Sequence, residues 1–146
     1  MKTDPWPHII VDDFLDNYDW HIEQVNSRHG YIQDGKKLRL NIKDFSVAPD
    51  IQGYLDVLPH RPYETLRLDW YWSVQKGPFE YKIHAEDTKK VLSVVVYLGD
   101  SGRGTDLYNP DKSYYGEVEW KPNRAFIFAG SDVTWHSYRT NADEKR

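Results

Sequence analysis

From residue 65 onward apolar and polar side chains alternate. Leu66, Leu68, Trp70, Trp72 and Val74 are separated by Arg67, Asp69, Tyr71 and Ser73, a period of two that predicts a half-buried strand. Lys76-Gly77-Pro78 supplies a turn, and residues 79–84 resume an extended run. Residues 91–98 are apolar except for Ser93 and read as a fully buried strand. Further short strands are expected at 105–108, 116–120, 125–128 and 134–138, with turns rich in Asp, Gly, Pro and Asn between them. The first third follows a different period. Beyond the apolar stretch His8-Ile9-Ile10-Val11, Asp12 and Asp13 offer helix N-caps, and Leu15, Tyr18, Ile22 and Val25 share one helical face. Leu38, Leu40 and Ile42 alternate with polar residues as in a strand. Ile51, Tyr54, Leu55 and Leu58 then fall at i, i+3, i+4 and i+7, with Gly53 inside that helix and Pro59 ending it.

Many short strands with no helices between them predict a mainly β fold, an antiparallel sandwich or jelly-roll barrel with the N-terminal helices packed outside. No repeat or low-complexity segment marks a linker, so residues 1–146 read as one domain. A mixed α/β part covers about 1–64 and the jelly-roll core about 65–146.

Composition narrows the possibilities. With 39% apolar and 15% aromatic residues the chain fills one core despite a mean hydropathy of -0.79. Acidic residues number 23 against 19 basic ones, and the net charge of -4 argues against nucleic acid or an anionic membrane as partner. The absence of Cys excludes disulfides, thiolate metal sites and a Cys nucleophile, and it fits a reducing compartment. No apolar stretch of signal length opens the sequence, so a soluble cytoplasmic protein is expected.

Of six histidines, His8, His21, His29 and His60 lie in polar or Pro-flanked settings and are expected at the surface. The other two differ. In His84-Ala85-Glu86 the strand period places an imidazole and a carboxylate on one face, and His136 lies on a later strand. Two imidazoles and a carboxylate make the facial triad of non-haem Fe(II) oxygenases, which leaves coordination positions open for substrate and O2. Asp87 is the rival carboxylate, but parity turns it away from His84 unless the strand bulges.

The surroundings carry a resemblance. The segment His84-Ala85-Glu86-Asp87-Thr88-Lys89-Lys90-Val91-Leu92-Ser93, continuing into Val96-Tyr97-Leu98, resembles the H-x-D/E strand pair of the 2-oxoglutarate/Fe(II)-dependent oxygenases, most closely the prolyl-4-hydroxylase-like branch. Gly104-Thr105-Asp106-Leu107-Tyr108 resembles that family's G-T-x-L-Y element. The strand before its distal His is matched by Trp120-Lys121-Pro122-Asn123-Arg124-Ala125-Phe126-Ile127-Phe128, and its usual opening by Pro5-Trp6-Pro7-His8-Ile9-Ile10-Val11-Asp12-Asp13-Phe14-Leu15. The resemblance implies a double-stranded β-helix with Fe(II) held by His84, Glu86 and His136. It implies that the Tyr97 hydroxyl holds the distal carboxylate of 2-oxoglutarate and that Tyr81 lines the same pocket, core packing being the alternative for both. The carboxylate is Glu where most members have Asp. The family also places a basic residue nine or ten positions after the distal His, on a further strand. Arg146 fits at +10, and the resemblance implies that it, rather than Arg139, grips the distal carboxylate of 2-oxoglutarate; it is the last residue, so the barrel is expected to lack its final strand, to borrow one, or to tolerate an open edge. Arg139, at odd spacing from His136, is expected to face outward.

The function so implied is an Fe(II)- and 2-oxoglutarate-dependent dioxygenase that uses O2, releases succinate and CO2, and hydroxylates a C–H bond. Its partners would be small molecules and a substrate, a peptide among the candidates, that the chain does not name. Trp70, Trp72 and Trp135 are either core residues or the lining of its cleft. A cupin-like metal- or sugar-binding jelly roll without oxygenase activity is the competing reading.

Overall fold

The structure is a computed structural model and describes residues 1–28, 37–42, 46, 48–100 and 102–140. Its elements are β1 (Ile9–Val11), α1 (Tyr18–Arg28), β2 (Lys37–Asn41), α2 (Gln52–Val57), β3 (Tyr71–Gln75), β4 (Phe79–His84), β5 (Leu92–Val96), β6 (Thr105–Tyr108), β7 (Tyr114–Val118), β8 (Ala125–Ala129) and β9 (His136–Thr140). The fold is mainly β, and every pairing is antiparallel. The strands form sheets of order β1-β8-β5, β2-β3 and β4-β9-β6-β7.

Strand β8 shows how the layers are stacked. Alternation sends Phe126 and Phe128 to one face, where they meet Leu107 and Val118 of the four-stranded sheet together with Trp6 and Tyr97. The opposite face presents Ala125, Ile127 and Ala129 to Leu58, at the end of α2, and to Tyr54 within it. A separate cluster of Val25, Ile42, Trp72 and Val74 packs α1 against the β2-β3 pair. No helix among the described residues is long and apolar enough to cross a membrane.

The sequence periods place most of these elements, with four corrections. The expected buried strand over 91–98 is β5, whose residues are only half-buried, because β5 lies at the edge of its sheet while β8 lies at the centre and is buried along its whole length. Residues 65–70 are not a strand. Leu66 and Leu68 are 45% and 38% exposed, since β2 pairs with residues 71–75 and leaves the preceding alternation without a partner.

The first helix starts at Tyr18 rather than behind Asp12 and Asp13. The Asn123 side chain accepts from Leu15 N–H at 2.9 Å and donates to Leu15 C=O at 3.0 Å, which holds this segment as a turn. Finally, His8 and His21 are buried, at 2% and 1% exposure, while His60 is exposed and His29 lies outside the described residues. His8 Nδ1 donates to Trp6 C=O at 2.9 Å, and His21 Nδ1 accepts from Trp72 Nε1 at 3.0 Å within a ring of Trp20, Trp70 and Trp72. The Trp72 indole on His21 and the Phe126 ring that covers His8 are both distant in sequence, and a short alternating or polar stretch gives no sign of either.

These histidines set an acid limit. Burial lowers the pKa of both, so the folded state refuses a proton that the unfolded chain accepts below about 6.5. Stability is therefore full above that pH and declines as pH falls beneath it. Asp12 adds a second, lower window. Hydrogen bonds from Arg124 and Lys121 hold its pKa near about 2, so its contribution is present above the usual carboxylate range and is lost as pH falls toward 2. Urea titration followed by Trp fluorescence is expected to show a fall in stability between about pH 6.5 and 5. His21→Ala should lower stability by about 2–4 kcal/mol and flatten that fall, because it opens a cavity and strands the Trp72 indole N–H.

Candidate metal centre

His84 ends β4 and His136 opens β9, and the two are cross-strand partners with ring centroids 4.2 Å apart. Tyr81 pairs with Tyr138 two residues further along β9, so β4 carries one extra residue between Tyr81 and His84. That bulge is what puts both on one face despite their odd spacing. The Tyr81 ring consequently lies 4.5 Å from the His84 ring, centroid to centroid, and is stacked on Tyr138 at 5.2 Å.

Glu86 does not lie on the strand, as the period of two predicts, but in the loop between β4 and β5, and the turn of that loop rather than strand parity brings its carboxylate to His136. Its carboxylate is 8% exposed and bonds His136 Nε2 at 3.1 Å through Oε1 and Lys90 Nζ at 2.9 Å through Oε2. One ligand atom from each of His84, Glu86 and His136 can be chosen so that all three lie within 4.8 Å of one another. Asp87 does other work: its carboxylate accepts from Lys89 N–H at 2.8 Å and its carbonyl from Lys90 N–H at 2.9 Å, closing a turn.

Hydrogen bonding settles the imidazole tautomers. Nδ1 of His84 faces Lys82 C=O at 2.8 Å, and Nδ1 of His136 faces Thr134 C=O at 2.8 Å. A carbonyl only accepts, so each Nδ1 carries hydrogen and each neutral ring offers Nε2 as the ligand atom. For His136 this sets a bare lone pair 3.1 Å from a carboxylate oxygen. Such a contact needs a cation, either a proton on Nε2 or a metal ion that both atoms bind. Two imidazole nitrogens and one carboxylate oxygen suit Fe(II), Mn(II) or Co(II), and the donor set thus fits a divalent metal.

Electrostatics keeps the ligands ready. Burial would raise the pKa of Glu86, but hydrogen bonds from Lys90 and from His136 when its Nε2 carries a proton outweigh it and hold the value near about 2. Burial lowers that of His84 in spite of its bond to Lys82. Phe128 seals one side of the site, its ring edge-on to His136 at 5.0 Å.

The other expected site residues are not all brought to the triad. Tyr97 is 1% exposed in the core between the sheets, with its hydroxyl on Thr105 Oγ1 at 2.8 Å and its ring stacked on Trp120. It shares a cluster with Phe128, whose ring packs on His136. Tyr81 is beside the site, 40% exposed. Arg146 lies outside the described residues, and Arg139 is exposed opposite Glu80. Of the tryptophans, Trp72 is core, Trp70 packs against the same cluster, and Trp135 is half-buried with Lys112 Nζ 4.3 Å above its ring. Lys90, Tyr138 and Lys37 also reach the site, the last with Nζ 3.4 Å from the Tyr138 hydroxyl. Parity with His136 identifies Tyr138, and Lys90, four residues from Glu86, is a cation of opposite charge within reach, whereas nothing in the sequence marks Lys37. Comparison of the chain with family models, curated proteins and solved structures finds no match in any of the three.

Replacing His84, Glu86 or His136 by Ala is expected to weaken Mn(II) or Co(II) binding by more than about tenfold, the scale on which even supporting residues act. Asp87→Ala should cost far less, and calorimetry of the four variants checks the contrast. Protons compete with the metal for neutral imidazole, so affinity should decline on acidification. Because the pKa of His84 is lowered, its part of that decline begins below the usual imidazole range of about 6.5. Glu86 stays ionised throughout and does not contribute.

Proposed function

We propose that the chain is an Fe(II)- and 2-oxoglutarate-dependent dioxygenase of the prolyl-4-hydroxylase-like branch, built on a double-stranded β-helix. The observation that carries this reading is the triad of His84, Glu86 and His136, with each imidazole turned by a backbone carbonyl so that Nε2 is the metal-binding atom. The layering supports it: the β1-β8-β5 and β4-β9-β6-β7 sheets share one aromatic core, as the two faces of a jelly roll do.

Iron with its cosubstrate would supply oxidative decarboxylation to succinate and CO2 coupled to oxidation of a C–H bond. The protein residues have simpler tasks. His84, Glu86 and His136 fill one side of the metal and leave the other for ligands. Lys90 neutralises the second carboxylate oxygen of Glu86. Phe128 and the buried carboxylate keep water from the inner side. Tyr81 and Tyr138, stacked beside His84, form an aromatic wall at the exposed side, where a small molecule or a peptide side chain would approach. A cysteine-free chain with a ferrous centre suits a reducing cytoplasm.

Calorimetry with the Mn(II)-loaded chain is expected to show 2-oxoglutarate binding that the metal-free chain lacks. With Fe(II) and O2, succinate should form and should disappear in Glu86→Ala. Metal binding with neither 2-oxoglutarate affinity nor succinate would overturn this reading in favour of a cupin-like metal site.

A further inference from the structure

The loop that carries Glu86 has no strand or helix to organise it, yet the metal ligand must be presented at a fixed distance from two rigid imidazoles. Residues 85–90 turn between β4 and β5, and the carbonyl oxygens of Glu86, Asp87 and Lys90 converge on one side of the turn. What meets them is the guanidinium of Arg61. Its Nη1 donates to Asp87 C=O and to Lys90 C=O at 3.3 Å, and its Nη2 donates to Glu86 C=O at 3.5 Å and reaches Asp132 at 3.4 Å.

Arg61 is itself well anchored. Leu58, three residues earlier, is 2% exposed in the cluster beneath β8, and Pro62 follows Arg61 and restricts its backbone to extended conformations. The side chain is 18% exposed, while that of Asp132 is 94% exposed, so the exposed ion pair contributes little beside the carbonyl contacts. Packing around the same point is tight: a Cβ on Gly130 would come within 2.8 Å of the Lys90 oxygen, 3.1 Å of Glu86 Cβ and 3.5 Å of Arg61 Nη1. The turn after β8, the carboxylate loop and the guanidinium therefore share one site with no room to slide.

We propose that Arg61 is a positioning residue of the metal centre, gathering the carbonyls of Glu86, Asp87 and Lys90 so that the Glu86 carboxylate is presented to the metal. The inference rests on the metal-centre reading of the triad. A planar fork of donors is needed to serve three carbonyls from one side, which the single ammonium of Lys cannot reproduce.

The test is a double-mutant cycle on Co(II) affinity, because Co(II) stands above Mn(II) and Fe(II) in the stability order and stays measurable when a ligand is lost. Arg61→Ala is expected to weaken Co(II) binding by about 10–100-fold, with Arg61→Lys falling between it and the unaltered chain. It should also change the visible ligand-field spectrum of the bound ion. In a Glu86→Ala background the further loss from Arg61→Ala should vanish, since the carboxylate it positions is gone. Circular dichroism and urea unfolding of the metal-free variants separate this from general destabilisation, and Asp132→Ala should leave Co(II) affinity unchanged. Equal losses in both backgrounds, or an unaltered spectrum with unaltered affinity in Arg61→Ala, would overturn the positioning role and leave the metal centre standing. Failure of the unaltered chain to bind Co(II) would overturn both.

Discussion

The burial of β8 on both faces is the constraint from which the rest of the molecule follows. A strand of five residues without a polar side chain, Ala125–Ala129, has to be covered above and below, and it is flanked on each edge by β1 and β5. Small residues, Ala125 and Ala129, face the helix layer, while Phe126 and Phe128 fill the wider space between sheets. Each such ring removes roughly 150–250 Å² from water, so the strand cannot be exposed without forfeiting the core. The candidate metal site is tied to this same element. Phe128 packs edge-on against His136, and the turn that leaves β8 begins at Gly130, against which the Glu86 loop is seated. Rigidity at the triad is thus a property of the core.

The parts of the fold that were legible in the sequence are those governed by a local pattern, alternation in an open strand or an unbroken apolar run in a buried one. Residues 79–84, 105–108 and 125–128 show clean strand signals, and each corresponds to a strand within a residue. Where a distant partner decides the outcome, the local pattern misleads. Residues 65–70 alternate as well as residues 71–75 do, but only the latter find β2. Asp12 and Asp13 look like helix caps, yet the Asn123 amide claims the backbone of Leu15 first, and α1 begins later. His8 and His21 look solvent-facing until the Phe126 ring covers the one and the Trp72 indole bonds the other.

The candidate site divides in the same way. The triad is visible because its chemistry is carried by side-chain type, although a turn rather than the strand period brings Glu86 back to the histidines, and the turn made by Asp87 removes the rival carboxylate. The nearness of Tyr81 depends on a one-residue bulge that no alternation pattern reveals. Arg61 is less visible still, because its partners are backbone carbonyls, which every residue possesses. A side chain that recognises main chain leaves no complementary letter in the sequence.

The clasp between Asn123 and Leu15 also bears on how the chain is made. Trp6 donates to Tyr108 C=O, Asp12 pairs with Arg124, and β1 lies against β8, so the first strand and its flanks take all these partners from residues 108–127. During synthesis the N-terminal segment emerges long before those partners exist. It must wait, with Trp6 and the Ile9–Val11 strand uncovered, until residues 108–127 have left the ribosome. Contacts closing such long loops also slow folding. The layer that holds β1 and β8 consequently closes late, and until then the nascent opening segment keeps its apolar side chains exposed.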